Sequence, residues 1–255
     1  MIPFRIKVTF NGTLNFNNDR FIYMGQPIHQ RYREILNRID AACKNAGRDP
    51  SEITLVAVSK TKPDSDVFEL LKTGHKHIGE NRAKALEDRM ISIKDDSVQW
   101  HFIGNLQTNK IKYMAHRVDW IQSVHKKKAL KEIEKRAKDE GRVINALIQV
   151  NISGEGQKSG CEPDQLEPIL KYARNLDHTR VKGLMGMATF TDDPEKVRPE
   201  FRMLKKLRDE HLHLTGGAVE LEHLSMGMTN DLEVAIEEGS TMVRVGTAIF
   251  GERNY

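Results

Sequence analysis

From residue 28 onward, short apolar runs alternate with longer segments whose apolar residues recur at helical spacing. The stretch from His29 to Asn45 sets Tyr32, Ile35, Leu36, Ile39 and Cys43 on one helical face, and Gly47 is its stop. Beyond it the pattern predicts strands over 53–59, 75–79, 98–103, 119–124, 144–150, 180–187, 220–225 and 242–246. Helices are predicted near 64–73, 81–91, 107–115, 126–140, 163–176, 195–213 and 229–238. Gly74, Gly141 and Gly239 fall just past helical runs, where a left-handed residue ends a helix without strain. Regular β–α alternation means parallel strands, and eight of them predict an α/β fold, a single (β/α)8 TIM barrel preceded by a helix. An open doubly wound sheet is the alternative.

Residues 1–27 break the rhythm. Met1 to Phe10 has strand character, but Asn-rich Asn11 to Asp19 interrupts it, so this segment reads as an extension on a barrel domain of 28–255. A chain of 255 residues suits one large domain, and 38% hydrophobic with 30% charged residues excludes a disordered chain. A net charge of +4 from well-mixed residues gives no footprint for nucleic acid. The basic run Lys126-Lys127-Lys128 opens a predicted helix that also carries Glu132 and Glu134, which marks a solvated face. Cys43 and Cys161 lie far apart without CxxC spacing, which fits a reducing compartment and neither a disulfide framework nor a zinc site. No apolar run reaches the roughly 18 residues of a membrane span. The expectation is a cytoplasmic protein.

In a parallel barrel the chemistry gathers where strands end. The first strand, ITLVAV, is followed by Lys60, whose amine would meet a cavity with low-dielectric walls and act as a nucleophile toward an aldehyde. The seventh and eighth strands, whose loops commonly bind phosphate, are followed by Ser225, Met226, Gly227 and Thr229, and by Gly246 and Thr247. Hydroxyls donate to phosphate oxygens, and glycines let backbone N–H groups approach. Thr229-Asn-Asp also reads as the start of a helix facing the anion. Arg244 sits inside the apolar run TMVRVGTAIF, where a charge needs a partner: an acid such as Glu222, solvent, or a ring nitrogen. A carbonyl-reactive lysine with a remote phosphate site points to pyridoxal 5′-phosphate (PLP). Arginine at the ring nitrogen would keep it unprotonated and weaken the ring as an electron sink.

Several motifs then carry a resemblance: VAVSKTKP (56–63), IGEN (78–81), WHFIGNLQTNK (100–110), LIQVNISGEGQKSG (147–160), GLMGMA (183–188) and the run from His223 to Tyr255. In order and spacing they resemble the YggS/PROSC family of pyridoxal phosphate homeostasis proteins, over essentially everything from residue 28. The resemblance implies a fold-type III barrel similar to the N-terminal domain of alanine racemase, with PLP held as a Schiff base on Lys60. It implies a phosphate site at Ser225, Gly227, Arg244, Gly246 and Thr247, with Asn81 near the cofactor and Met226 as a wall residue. It further implies a role in intracellular vitamin B6 balance without established turnover, with B6 vitamers and apo PLP-dependent enzymes as partners. Arg82 departs from the tyrosine that often follows GEN in the family.

The alternative is a PLP-dependent amino-acid racemase. Racemisation needs proton-transfer groups on both faces of the substrate carbon. Lys60 could serve one face. The alanine racemase tyrosine for the other comes from a second domain that this sequence does not show, leaving His101, His125 or Cys161 as substitutes. His101, inside a strand after Trp100, reads better as a packed histidine. A carrier needs only the lysine, the cradle and a mouth, so it is the leading expectation, and a barrel lacking the racemase's dimer-building domain is expected to be a monomer.

Overall fold

The computed structural model describes residues 26–154 and 159–252, so the expected extension falls outside the described residues except for its last two positions. Eight parallel strands, β1 (Thr54–Val58), β2 (His77–Glu80), β3 (Gln99–Phe102), β4 (Trp120–Val124), β5 (Ile144–Gln149), β6 (Thr179–Met185), β7 (Val219–Ser225) and β8 (Met242–Val245), close into one barrel in sequence order. Closure is made by β8 on β1, in the register Thr54↔Met242, Leu55↔Val243, Val56↔Arg244 and Ala57↔Val245. The closed barrel excludes the open sheet.

The helices are α1 (Ile28–Ala46), α2 (Asp64–Leu71), α3 (Ala83–Ser92), α4 (Lys127–Asp139), α5 (Pro163–Ala173), α6 (Arg198–Glu210), α7 (Leu232–Glu237) and the single turn α8 (Thr247–Phe250). Gly47, Gly74, Gly141 and Gly239 have φ of 65°, 87°, 62° and 99°, the left-handed stop their positions predicted. Three expectations need correction. Residues 108–113 form a 3-10 run rather than an α-helix, with Ile111 as their buried anchor. Thr229-Asn-Asp is a turn before α7 and not its first turn, because Asp231 folds back to accept from the Met228 amide at 2.5 Å. The run after Val245 leaves the strand at Gly246 and coils into α8.

Strand side chains alternate between two environments. Leu55, Ala57, Leu224, Val243 and Val245 face outward into the main apolar cluster, where they meet Ile35, Leu70, Leu86, Ile133, Leu170 and Phe201 of the helices. Burying each such large side chain stabilises the fold by about 2 kcal/mol. The barrel interior holds a smaller apolar cluster of Trp120, Leu147, Met185 and Met242. Beside it lie the buried polar groups His101, Gln122, Ser225 and Arg244.

Candidate functional site

Lys60 is half-buried, two residues past the end of β1. A Cβ placed on Gly79 would meet Val56 Cγ1 at 3.0 Å and Val58 Cγ2 at 3.7 Å, so these valines face the barrel interior. Strand parity carries Lys60 onto the same inward face. The intervening Ser59 donates its hydroxyl to Glu80 Oε1 at 3.0 Å and its amide to Gly79 O at 3.0 Å, which pins the end of β1 to β2. Thr61 then turns the chain at φ 65°, and Arg89 of α3 donates to the Lys62 carbonyl at 2.7 Å.

Two strands away, β7 ends at Ser225 and the chain turns through Gly227 at φ 94°. Any side chain there would strike Ala235 Cβ at 2.5 Å, so the backbone lies flush against α7. Gly246 leaves β8 beside β1, where an added Cβ would come within 3.2 Å of Val58 O. Thr247 follows it on the exposed surface. Arg38 of α1 donates to Thr229 O at 2.8 Å and pairs with Glu233 at 2.7 Å, holding the loop after β7 from outside. Lys60 and this glycine cradle therefore occupy β7, β8 and β1, three neighbouring strands, at their C-terminal ends.

Between them Arg244 is buried, 4% exposed. Its guanidinium donates to Ser225 Oγ at 2.7 Å and to Gly186 O at 3.0 Å, both neutral acceptors. Burial pulls its pKa down to about 10, with attraction to Asp231 opposing, so it remains a cation at neutral pH. Glu222, the acid the sequence offered it, is exposed and lies near Lys182 at 4.0 Å instead.

The remaining expected residues divide. Asn81 is exposed at the end of β2, its carbonyl under the backbone of Gly104, where an added Cβ would lie 1.9 Å away. Met226 is fully buried in the outer cluster, because the inward position before it is taken by Ser225. It does not form a wall of the mouth. Of the alternative proton-transfer groups, His101 is fully buried, and desolvation beside other histidines holds its pKa well down. Burial pushes the Cys161 thiol up to about 12. Sequence reasoning missed Arg89 and Gln122; the latter was detectable as a polar residue at the centre of the apolar strand WIQSV.

The arrangement defines a parallel barrel with a lysine at its mouth, two glycine turns beside it and a buried arginine behind, hydrogen-bonded to neutral acceptors. Comparison with known proteins agrees. Residues 34–254 match the family described as alanine racemase, N-terminal domain. The pyridoxal phosphate homeostasis protein of Aquifex aeolicus is 44% identical over 89% of this chain and 98% of its own. That of Escherichia coli is 36% identical over 87% and 95%. PipY of Synechococcus elongatus, solved with PLP bound, superposes at a TM-score of 0.74 with 28% identity, covering 85% of this chain and all (100%) of PipY. An alanine racemase of Clostridium difficile, at 14% identity and a TM-score of 0.66 over 88% of this chain and 56% of its own, shares the fold. The chain belongs to the pyridoxal phosphate homeostasis protein family.

Proposed function

We propose that this chain binds PLP and serves intracellular vitamin B6 homeostasis as a carrier without catalytic turnover. The carrying observation is the convergence of Lys60, the Gly227 and Gly246 turns and Arg244 on adjacent strand ends. The donor set fits the cofactor: a primary amine for the aldehyde, close-approach backbone for the phosphate, and a buried cation with neutral hydrogen-bond partners for the ring nitrogen. When bound, PLP supplies an electrophilic carbonyl and an electron-withdrawing ring. Lys60 would condense with its aldehyde with loss of water, Thr247 and the backbone of the two turns would hold the phosphate, and Arg244 would face the ring nitrogen and disfavour its protonation. Asn81 borders the mouth at β2.

A carrier is favoured over a racemase because two of the three groups named for a second proton transfer are withdrawn, leaving only His125, half-exposed just past β4. His101 is sealed in the barrel, and the Cys161 thiol stays protonated at neutral pH. The PLP-binding domain is 28–255, with 1–27 as an appended segment, and the working form is a cytoplasmic monomer that exchanges B6 vitamers with apo PLP-dependent enzymes. No described helix is long and apolar enough to cross a membrane.

Borohydride reduction of the PLP-treated protein followed by peptide mass mapping tests this. A reduced phosphopyridoxyl group on Lys60, lost in Lys60→Ala, is the expected result. A protein that takes up no PLP removes the proposal, and turnover of L- to D-amino acids by the loaded protein transfers it to the racemase class.

A further inference from the structure

Behind Arg244 a line of hydrogen bonds crosses the barrel. Arg244 Nη1 reaches Ser225 Oγ at 2.7 Å, and Ser225 Oγ reaches Gln122 Oε1 at 2.7 Å. Gln122 Nε2 lies 2.9 Å from His101 Nδ1, and His101 Nε2 lies 3.1 Å from His77 Nδ1. The line joins β8, β7, β4, β3 and β2, beginning near the mouth and ending at the first residue of β2. The Trp120 ring stacks on His101 at 5.6 Å and 7°, fixing the imidazole plane.

The donors can be ordered because a guanidinium has no acceptor. Arg244 must donate to Ser225. The single hydroxyl proton of Ser225 then goes to the Gln122 oxygen, which turns the amide N–H toward His101. His101 must accept at Nδ1 and carry its proton on Nε2, from which it donates to His77 Nδ1. The opposite amide orientation would point two donors at one hydroxyl and leave the Gln122 oxygen toward the imidazole. Every dipole in the line therefore presents its negative end toward the buried cation, which strengthens successive bonds.

We propose that Gln122 is a positioning residue for the cofactor site: through Ser225 it holds the Arg244 guanidinium in place and solvates it with neutral dipoles. This rests on the PLP reading and adds to it the control of Arg244. Asp231 attracts the cation from beyond ion-pair distance, while the groups that hydrogen-bond it are neutral dipoles, which stabilise the guanidinium and leave its charge acting on the ring nitrogen. Ser225 changes role accordingly. Its only proton is engaged by Gln122, so it cannot donate to phosphate at the same time and acts on the site through Arg244.

Two measurements decide it. Nitrogen-15 spectra of the histidine side chains in the PLP-free protein should show His101 with Nε2 protonated and Nδ1 bare. Gln122→Glu, which has no N–H to give, should move the His101 proton to Nδ1 while preserving the Ser225–Arg244 contact. Gln122→Met should weaken PLP binding about tenfold, the effect of losing one bond in a charged network, and shift the absorbance of the bound cofactor. Ser225→Ala should reproduce that shift, and the two changes together should not add. A wild-type His101 protonated at Nδ1 overturns the proposal, even if Gln122→Met fails to fold. So does a folded Gln122→Met protein with wild-type affinity and spectrum. Failure of the PLP reading is separate: it would appear as no adduct on Lys60, whatever the histidine tautomers.

Discussion

Arg89 of α3 stands 3.2 Å from the carboxylate of Glu80, a residue only 1% exposed, at the end of β2. The same guanidinium donates to the Lys62 carbonyl and lies 3.2 Å from Asp64, so one arginine clamps both sides of the turn that displays Lys60. Burial raises the Glu80 pKa, while Arg89, Ser59 and the Asn81 amide oppose that shift and favour the ion.

Arg89→Ala should strand the Glu80 carboxylate in the interior and lower stability by about 3 kcal/mol, as for other half-removed buried pairs. Glu80→Gln combined with Arg89→Met should recover part of that loss. Urea unfolding of the single and double variants checks both statements. Equal stability of Arg89→Ala and wild type would show that the clamp contributes nothing.

Acid should weaken the fold through its histidines. Burial lowers the pKa of His75 to about 4, and it lowers those of His77 and His223 as well. Because the folded values lie below the unfolded value, the unfolded chain binds more protons as pH falls. Stability is then complete above about pH 6.5 and declines toward pH 4; His75 alone contributes about 2 kcal/mol of loss between about pH 6.5 and about pH 5. Urea midpoints measured across that range should show the slope, and His75→Gln should flatten it.

Both thiols should resist reagents in the native protein. Cys43 and Cys161 are buried, and burial raises both pKa values, that of Cys161 to about 12. Since the thiolate is the reactive species, disulfide-exchange reagents at about pH 8 should label neither residue until denaturant is added. Rapid native labelling of Cys161 would bring it back as a reactive group.

Gly227→Ala should damage both fold and site. Its φ of 94° and the 2.5 Å approach to Ala235 combine backbone strain with a clash, a loss of about 2 kcal/mol or more. Gly141→Ala has a positive φ but open space around it, so it should lose about 1 kcal/mol and leave PLP affinity untouched. Thermal midpoints and PLP titrations of the pair separate clash from strain.

The alternation of apolar runs and helical segments made the barrel legible, because strands covered on both faces read as short continuous apolar stretches. Arg244 stood out as a charge inside an apolar run, whereas Lys60, Gly227 and Gly246 are ordinary residues for a strand end and gained weight only from standing together. The run after Val245 did not reveal α8, since TAIF continues the apolar pattern of the strand and only the turn at Gly246 separates them. Residues 107–115 showed helical spacing, yet they coil too tightly for an α-helix. The line from Arg244 to His77 was hidden for a different reason. Its members are far apart in sequence, and strand parity places them together only once the barrel closes.

Closure on β1 by β8 gives the molecule an order of events in time. Lys60 is made before Arg244, and their strands are neighbours only when β8 seats on β1. On the proposed reading, a growing chain displays Lys60 before it has the glycine turns after β7 and β8 or Arg244. Under that proposal, retention of the cofactor would report that the whole barrel has been completed, and a ribosome stalled short of β8 would carry Lys60 with nothing to hold what it captures.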